Sequence, residues 1–296
     1  MRGLYLPRSS HSDRYGLLLH FSISTPSFEA AIWRVSVPEE KQIRPVPWEP
    51  ECLFRGRLAI DNLGECLLQS LRDDHGVHAE TLLAAAGVLA GFAAQHAALI
   101  DGARATSQAG AVPKGSVLLL GTKSGEQFIT GSGIIKFLFD QKLSLWRLAN
   151  THIIEAGIPE ADIPDARGIV KHVTEALGHA GFGTIRVINE HQPRTPLHQL
   201  LKLLWPQMLE VIQRPLPKAV PVAEPSLDPI YWPAIASIAA TRFIVKAKDT
   251  LDPRLSYTIL MESAVIAAKY APETIDPGKW RFEARNGDLA VFRLAI

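Results

Sequence analysis

Cysteine is nearly absent. Cys52 and Cys66 are the only two among 296 residues, which excludes a disulfide framework, and a chain of this length does not need one. They read as reduced thiols, with a single bridge as the other reading. Excess charge of either sign is also missing, since 31 basic and 30 acidic side chains leave a net charge of +1. Phosphate contact supplies most of the affinity for nucleic acid and leaves a basic stripe on its binders. Without such a stripe or a long like-charge run, no nucleic-acid partner is expected. The chain contains no C-x-x-C pair, H-E-x-x-H helix, G-x-S-x-G elbow or EF-hand loop, so the common metal and hydrolase signatures are missing. A Ser-His-Asp triad stays open, because its members come from distant positions. The first residues carry arginines but no long apolar stretch and no small-residue cleavage site; the expected location is therefore cytoplasmic.

What is present is ordinary core material. Apolar residues make up 47% and charged residues 21%, a globular composition, and the length is roughly that of two average domains. One run stands apart. TLLAAAGVLAGFAAQHAALI, residues 81–100, holds no formal charge and is long enough to span a bilayer. Gly87-x-x-x-Gly91 inside it is a close-packing motif of membrane helices. Against a span, eight of the twenty residues are alanine, Gln95 and His96 interrupt the run, and no aromatic belt or basic flank frames it. It reads as a buried core helix.

The first 55 residues look β-rich and irregular, with strands at 16–24 and 30–37 and an extended connection marked by prolines 38, 45, 47 and 50. Leu63, Leu67, Leu68 and Leu71 share one face of a helix over 62–72, and DDHGVH (73–78) separates it from the apolar helix. Further on, Ser144 is placed to cap a helix that runs to Ala156 ahead of Gly157, and Pro164 and Gly178 bracket another. Thr195-Pro196 opens a third helix, with Leu197, Leu200, Leu201, Leu204, Met208 and Ile212 as its apolar face, which Pro206 should kink or divide. The proline-rich segment 214–229 is a stiff connector. Asp228-Pro229 and Asp252-Pro253 each look like a cap and first-turn proline, starting helices near 229–248 and 253–270. Asn286-Gly287 predicts a two-residue turn that pairs Phe282 with Val291 and Ala284 with Leu289.

SVLLLGTKSGEQFITGSGIIKFLF (116–139) looks at first like a phosphate loop. A Walker loop needs G-x-x-x-x-G-K-[ST], but Gly115 and Gly121 enclose five residues and Thr122 separates Gly121 from Lys123. A dinucleotide fingerprint fails at Lys136, where its third glycine belongs. Lys123-Ser124-Gly125 matches the K-[ST]-G strand motif of penicillin-binding proteins, yet no upstream serine has a lysine three residues later. A hairpin explains more. With Ser124-Gly125 as a two-residue turn, Lys123 faces Glu126, Leu120 faces Ile129, Phe128 lies across from Gly121, and Ser132 caps a following helix.

Metal chemistry has five candidates. Asp73, Asp74, His75 and His78 offer two carboxylates and two imidazoles within six residues, and His152 opens HIIE on a predicted helix. HVTE (172–175) repeats that spacing, but Glu-x-x-His is the order used in carboxylate-bridged bundles. Helical geometry also turns Glu175 away from the face formed by Ile169, Val170, Val173 and Leu177. The bland alternatives are a solvated loop and a hydrogen-bonded core histidine. No cofactor motif appears.

GSGIIKFLF and LSLWRLAN within 131–150, with TLDPRLSYTILMESAVIAAKYAPETID at 250–276, resemble parts of a conserved bacterial family of uncharacterised proteins. The resemblance implies a bacterial cytosolic protein and no particular activity. The expected architecture is α+β and mainly helical. A β-containing region over 1–140, with hairpins, packs against a helical region over 141–296 that holds the connector and the C-terminal hairpin. The expected function is a non-catalytic binding or protein-interaction module with a homo-oligomer or protein partner, the glycine-faced helix at 81–100 being its candidate surface. The alternative is a hydrolase or metal-dependent enzyme with dispersed residues.

Overall fold

The computed structural model describes residues 5–6, 50–109, 117–122, 125–214, 227–277, 280–285 and 289–294. The two N-terminal strands expected at 16–24 and 30–37 lie outside them, as does most of the proline-rich connector. The described fold is mainly helical with small antiparallel hairpins, an α+β arrangement. In chain order it runs β1 (Tyr5–Leu6), α1 (Pro50–Ser70), β2 (Arg72–Asp73), β3 (Gly76–His78), α2 (Ala79–Ala109), β4 (Leu118–Gly121) and β5 (Gln127–Thr130). After these come α3 (Ser132–Ile135), a wide turn over 136–140, α4 (Leu145–Glu155), α5 (Ala166–Glu175) and α6 (Leu197–Gln213). The chain then forms α7 (Trp232–Ala247), α8 (Pro253–Ala267), α9 (Pro272–Ile275), β6 (Trp280–Arg285) and β7 (Leu289–Leu294).

Helix α2 is the axis of the fold. It is the one described helix long and apolar enough to cross a membrane, and its apolar window is wholly buried inside the chain. Helices α1, α6, α7 and α8 surround it. Its glycines let α8 approach: a Cβ at Gly87 would strike the Leu260 carbonyl oxygen, and one at Gly91 the Ala264 carbonyl. The two helices run in the same direction, because Gly87 meets Leu260, Gly91 meets Ala264 and Gln95 reaches Ala268. The glycine face expected to bind a partner is therefore consumed within the chain. The polar interruptions have uses too. Gln95 donates to the Ala268 and Tyr270 carbonyls at 3.0 and 2.7 Å, satisfying acceptors that the end of α8 leaves unpaired. His96 stacks on Trp232 with ring centroids 4.9 Å apart.

The caps form as read at three helix starts. Ser144 accepts from the Arg147 N–H. Asp252 accepts from the N–H groups of Arg254 and Leu255, and Asp228 from that of Ile230, although a single tight turn precedes α7 there. All six apolar positions named for α6 are buried. That helix continues through Pro206. Residues 202, 203 and 206 are exposed, so the carbonyl deprived of its partner lies where water reaches it, and the Gln207 side chain donates to the Leu203 carbonyl beside it.

Both expected hairpins form, and both are off by one residue in register. Leu119 pairs with Ile129, Leu120 with Phe128 and Gly121 with Gln127. The Thr122 N–H donates to the Glu126 carbonyl, which leaves three residues in the turn instead of two. Gly125 sits there at φ +87°, as a three-residue turn closing through a left-handed residue requires. At the C-terminus Phe282 pairs with Phe292, Ala284 with Ala290 and Arg285 with Leu289; again three residues connect the strands. Two further readings need correction. Ser132 is the first residue of α3, and Gly131 stands at the cap position before it. Residues 72–78 form a hairpin, in which β3 pairs with both β2 and β1.

Candidate functional site

The five metal candidates fall in two places. Asp73, Asp74, His75 and His78 belong to the β2–β3 hairpin, whereas His152 lies in the last turn of α4. Asp73 accepts from the His75 backbone N–H at 2.8 Å, an Asx turn, and its other oxygen is 3.2 Å from Arg194. Asp74 and His75 are exposed. The Nδ1 of His152 is 2.8 Å from the Leu148 carbonyl oxygen, the bond of a helix-face histidine held by its own turn. Among the described residues no group of three His, Cys, Asp or Glu side chains is placed to hold a metal ion.

His78 takes part in a different arrangement. Its Nδ1 accepts from the Thr81 hydroxyl at 2.9 Å and from the Thr81 N–H at 3.4 Å, so the ring proton sits on Nε2, 3.2 Å from Glu80 Oε2. His191 Nδ1 meets the other oxygen of Glu80 at 2.8 Å. Burial pushes the His78 imidazole below its ordinary value, against the pull of Glu80. A buried carboxylate thus ties the start of α2 to the segment 189–194, and the Arg194 N–H completes the tie by donating to Thr81 Oγ1 at 3.0 Å.

A second buried carboxylate lies midway along α8. Glu262 is fully buried; its Oε2 accepts from the Arg186 backbone N–H at 2.7 Å, and its Oε1 is 3.4 Å from His172 Nε2. Burial pushes the Glu262 carboxyl above the usual carboxylate range, while the Arg186 N–H and His172 act in the opposite direction. His172 itself is 36% exposed at the side chain. The contact is an ion-pair distance without a hydrogen bond, because Glu262 Oε1 has no hydrogen-bond partner among the described residues. Near the end of α8, Lys269 is 4% exposed. Its ammonium donates to Thr130 Oγ1 at 2.8 Å and pairs with no carboxylate among the described residues. Burial lowers it to about 8.

An open cleft of about 640 Å³ lies between α4 and the segment leading into α5, lined by Trp146, Asn150, Glu160, Ile163, Pro164 and Arg167, among others. The Tyr257 hydroxyl, wholly buried on α8, donates to Asn150 Oδ1 at 2.9 Å and fixes the amide. Asp165 also lines the cleft, but its two oxygens accept from the Arg167 and Gly168 N–H groups at 2.9 and 3.0 Å, capping α5. Arg254 reaches Asp162 at 2.7 Å and ties the start of α8 to the turn beside the cleft. The cleft lining contains none of the five metal candidates.

Sequence reasoning named none of Glu80, Glu262, Lys269 or Asn150. For Glu262 a signal was available, since it is the one charge between Arg254 and Lys269 in an otherwise uncharged helix; a solitary charge there needs a partner from elsewhere. The partner of His172 was sought at Glu175, three residues away, and is Glu262, ninety residues on. Asn150 carried no signal, because its role comes from Tyr257 across the fold. Compared with models of known families, with curated proteins and with solved structures, the chain has no match.

Proposed function

We propose that this protein is a non-catalytic binding module, bacterial and cytoplasmic, and that the cleft between α4 and α5 is its binding site. The observation that carries this reading is the combination of an apolar-lined cleft with an amide held in one orientation by the buried Tyr257. Small-molecule sites are usually concave, largely apolar and furnished with a few fixed polar groups. The same reading keeps the division of the chain near residue 140 into a β-containing first region and a helical second region. The hairpins at 72–78 and 118–130 support that division, and α2 supplies the face on which the helical region packs. A homo-oligomer or protein partner remains part of the proposal, though not through the glycine face of α2.

Ala161 lies exposed on the cleft lining, so Ala161→Trp fills the cleft without entering the core. A fragment screen read by thermal shift should give hits on the native protein that this variant loses, with its unliganded melting temperature unchanged. Hits retained in full by the variant would place binding elsewhere.

A hydrolase is the second reading, favoured by one observation, the partly exposed His172 imidazole 3.4 Å from the buried Glu262 side chain. It predicts turnover of p-nitrophenyl acetate that His172→Asn and Glu262→Gln both abolish. Equal rates in all three proteins would remove it.

A further inference from the structure

We propose that the cleft selects a small ligand that joins an aromatic body to a hydrogen-bond-accepting oxygen, a carboxylate or carbonyl, and that Asn150 is the residue that selects it. The inference rests on the reading of the cleft as the binding site. An asparagine amide has one acceptor oxygen and two N–H donors. Here the oxygen is taken by the Tyr257 hydroxyl at 2.9 Å. Burial holds the Tyr257 phenol far above its ordinary titration range, with the Trp146 indole offsetting this only in part. Tyr257 therefore remains a donor throughout the physiological range, and the amide has no reason to turn over. What Asn150 has left for a ligand is its NH₂ group.

The rest of the lining agrees with an acceptor. Asp165 keeps its charge, but both its oxygens accept from N–H groups at the start of α5, whose helix dipole offsets that charge, and Arg167 adds a cation to the lining. Glu160 is exposed. Trp146 and Asn150 are four residues apart on α4, which places them on one face of the helix, about 5–6 Å from each other. A ring stacked on the indole would carry its oxygen to the amide if one or two atoms separate the two. Arylacetates have that spacing.

The test is a protein-observed NMR titration with two matched probes, phenylacetate and phenethylamine, on the native chain and on Asn150→Asp. Phenylacetate should shift the Trp146 indole N–H and the Asn150 side-chain amide saturably, and phenethylamine should shift neither. Asn150→Asp replaces the donors by a carboxylate of the same shape and should weaken phenylacetate by about tenfold or more, roughly the loss of one charge-assisted hydrogen bond. If phenethylamine binds as well as phenylacetate, or if the variant binds phenylacetate like the native chain, selection by Asn150 is wrong while the cleft stands as a site. If neither probe shifts the Trp146 indole, the ligand class and the cleft reading both fall. The comparison of the two probes on the native chain decides the ligand class even where the variant does not fold.

Discussion

Lys269 carries an amine into the core with one hydroxyl to receive it. Its effect on stability follows from proton linkage. The amine titrates near 8 in the folded chain and at 10.5 ordinarily, so between those values the unfolded chain binds more protons and stability rises with pH. Below about 8 both states are protonated and the burial penalty is present in full. Lys269→Met should therefore stabilise the protein at pH 7, by roughly 2–4 kcal/mol if the whole shift is realised, and by much less near pH 10.5. Chemical denaturation of both proteins at the two pH values checks this, and a gain that is independent of pH would contradict it. Gly125 makes a simpler case. At φ +87° a β-branched residue is strained, so Gly125→Val should cost about 1–2 kcal/mol, measured by the denaturation midpoint. The residues legible in the sequence were those with local duties. Ser144, Asp252 and Gly125 act within a few positions of themselves, whereas Glu262, Lys269 and Asn150 take their meaning from partners that only the tertiary fold brings near.

At the scale of elements, the contact of α2 with α8 decides the architecture. Gly91 touches the Ala264 backbone so closely that any side chain must force the helices apart. Gly91→Leu should destabilise the protein by about 3 kcal/mol or more, the upper range for overpacking a filled core, while Gly64→Leu, with open space around it, should stay within about 1 kcal/mol. Thermal melts of the two variants separate the cases. Helices were read well because their period and punctuation are local: the six apolar positions of α6 and the starts of α4 and α8 follow from spacing and caps alone. Hairpins were read well in place and poorly in register. The dipeptides Ser124-Gly125 and Asn286-Gly287 suggested two-residue turns, yet both connections take a third residue. At the C-terminus the three-residue turn pairs Trp280 with Leu294, Phe282 with Phe292 and Ala284 with Ala290.

Across the whole molecule one hydrophobic cluster runs from α1 and α2 through α4 to α8. The buried carboxylates Glu80 and Glu262 both hold the irregular segment between α5 and α6, through His191 and the Arg186 N–H. That segment has little regular structure of its own and is held by these two buried side chains. The cleft lining includes neither His172 nor either buried carboxylate, so the two readings of function name different residues. Protein-observed NMR with a mixed aromatic fragment set separates them most directly. The account predicts that saturable shifts centre on Trp146 and Asn150 and leave His172 and Arg186 unmoved. Shifts centred on His172 and Arg186, with Trp146 silent, would contradict it.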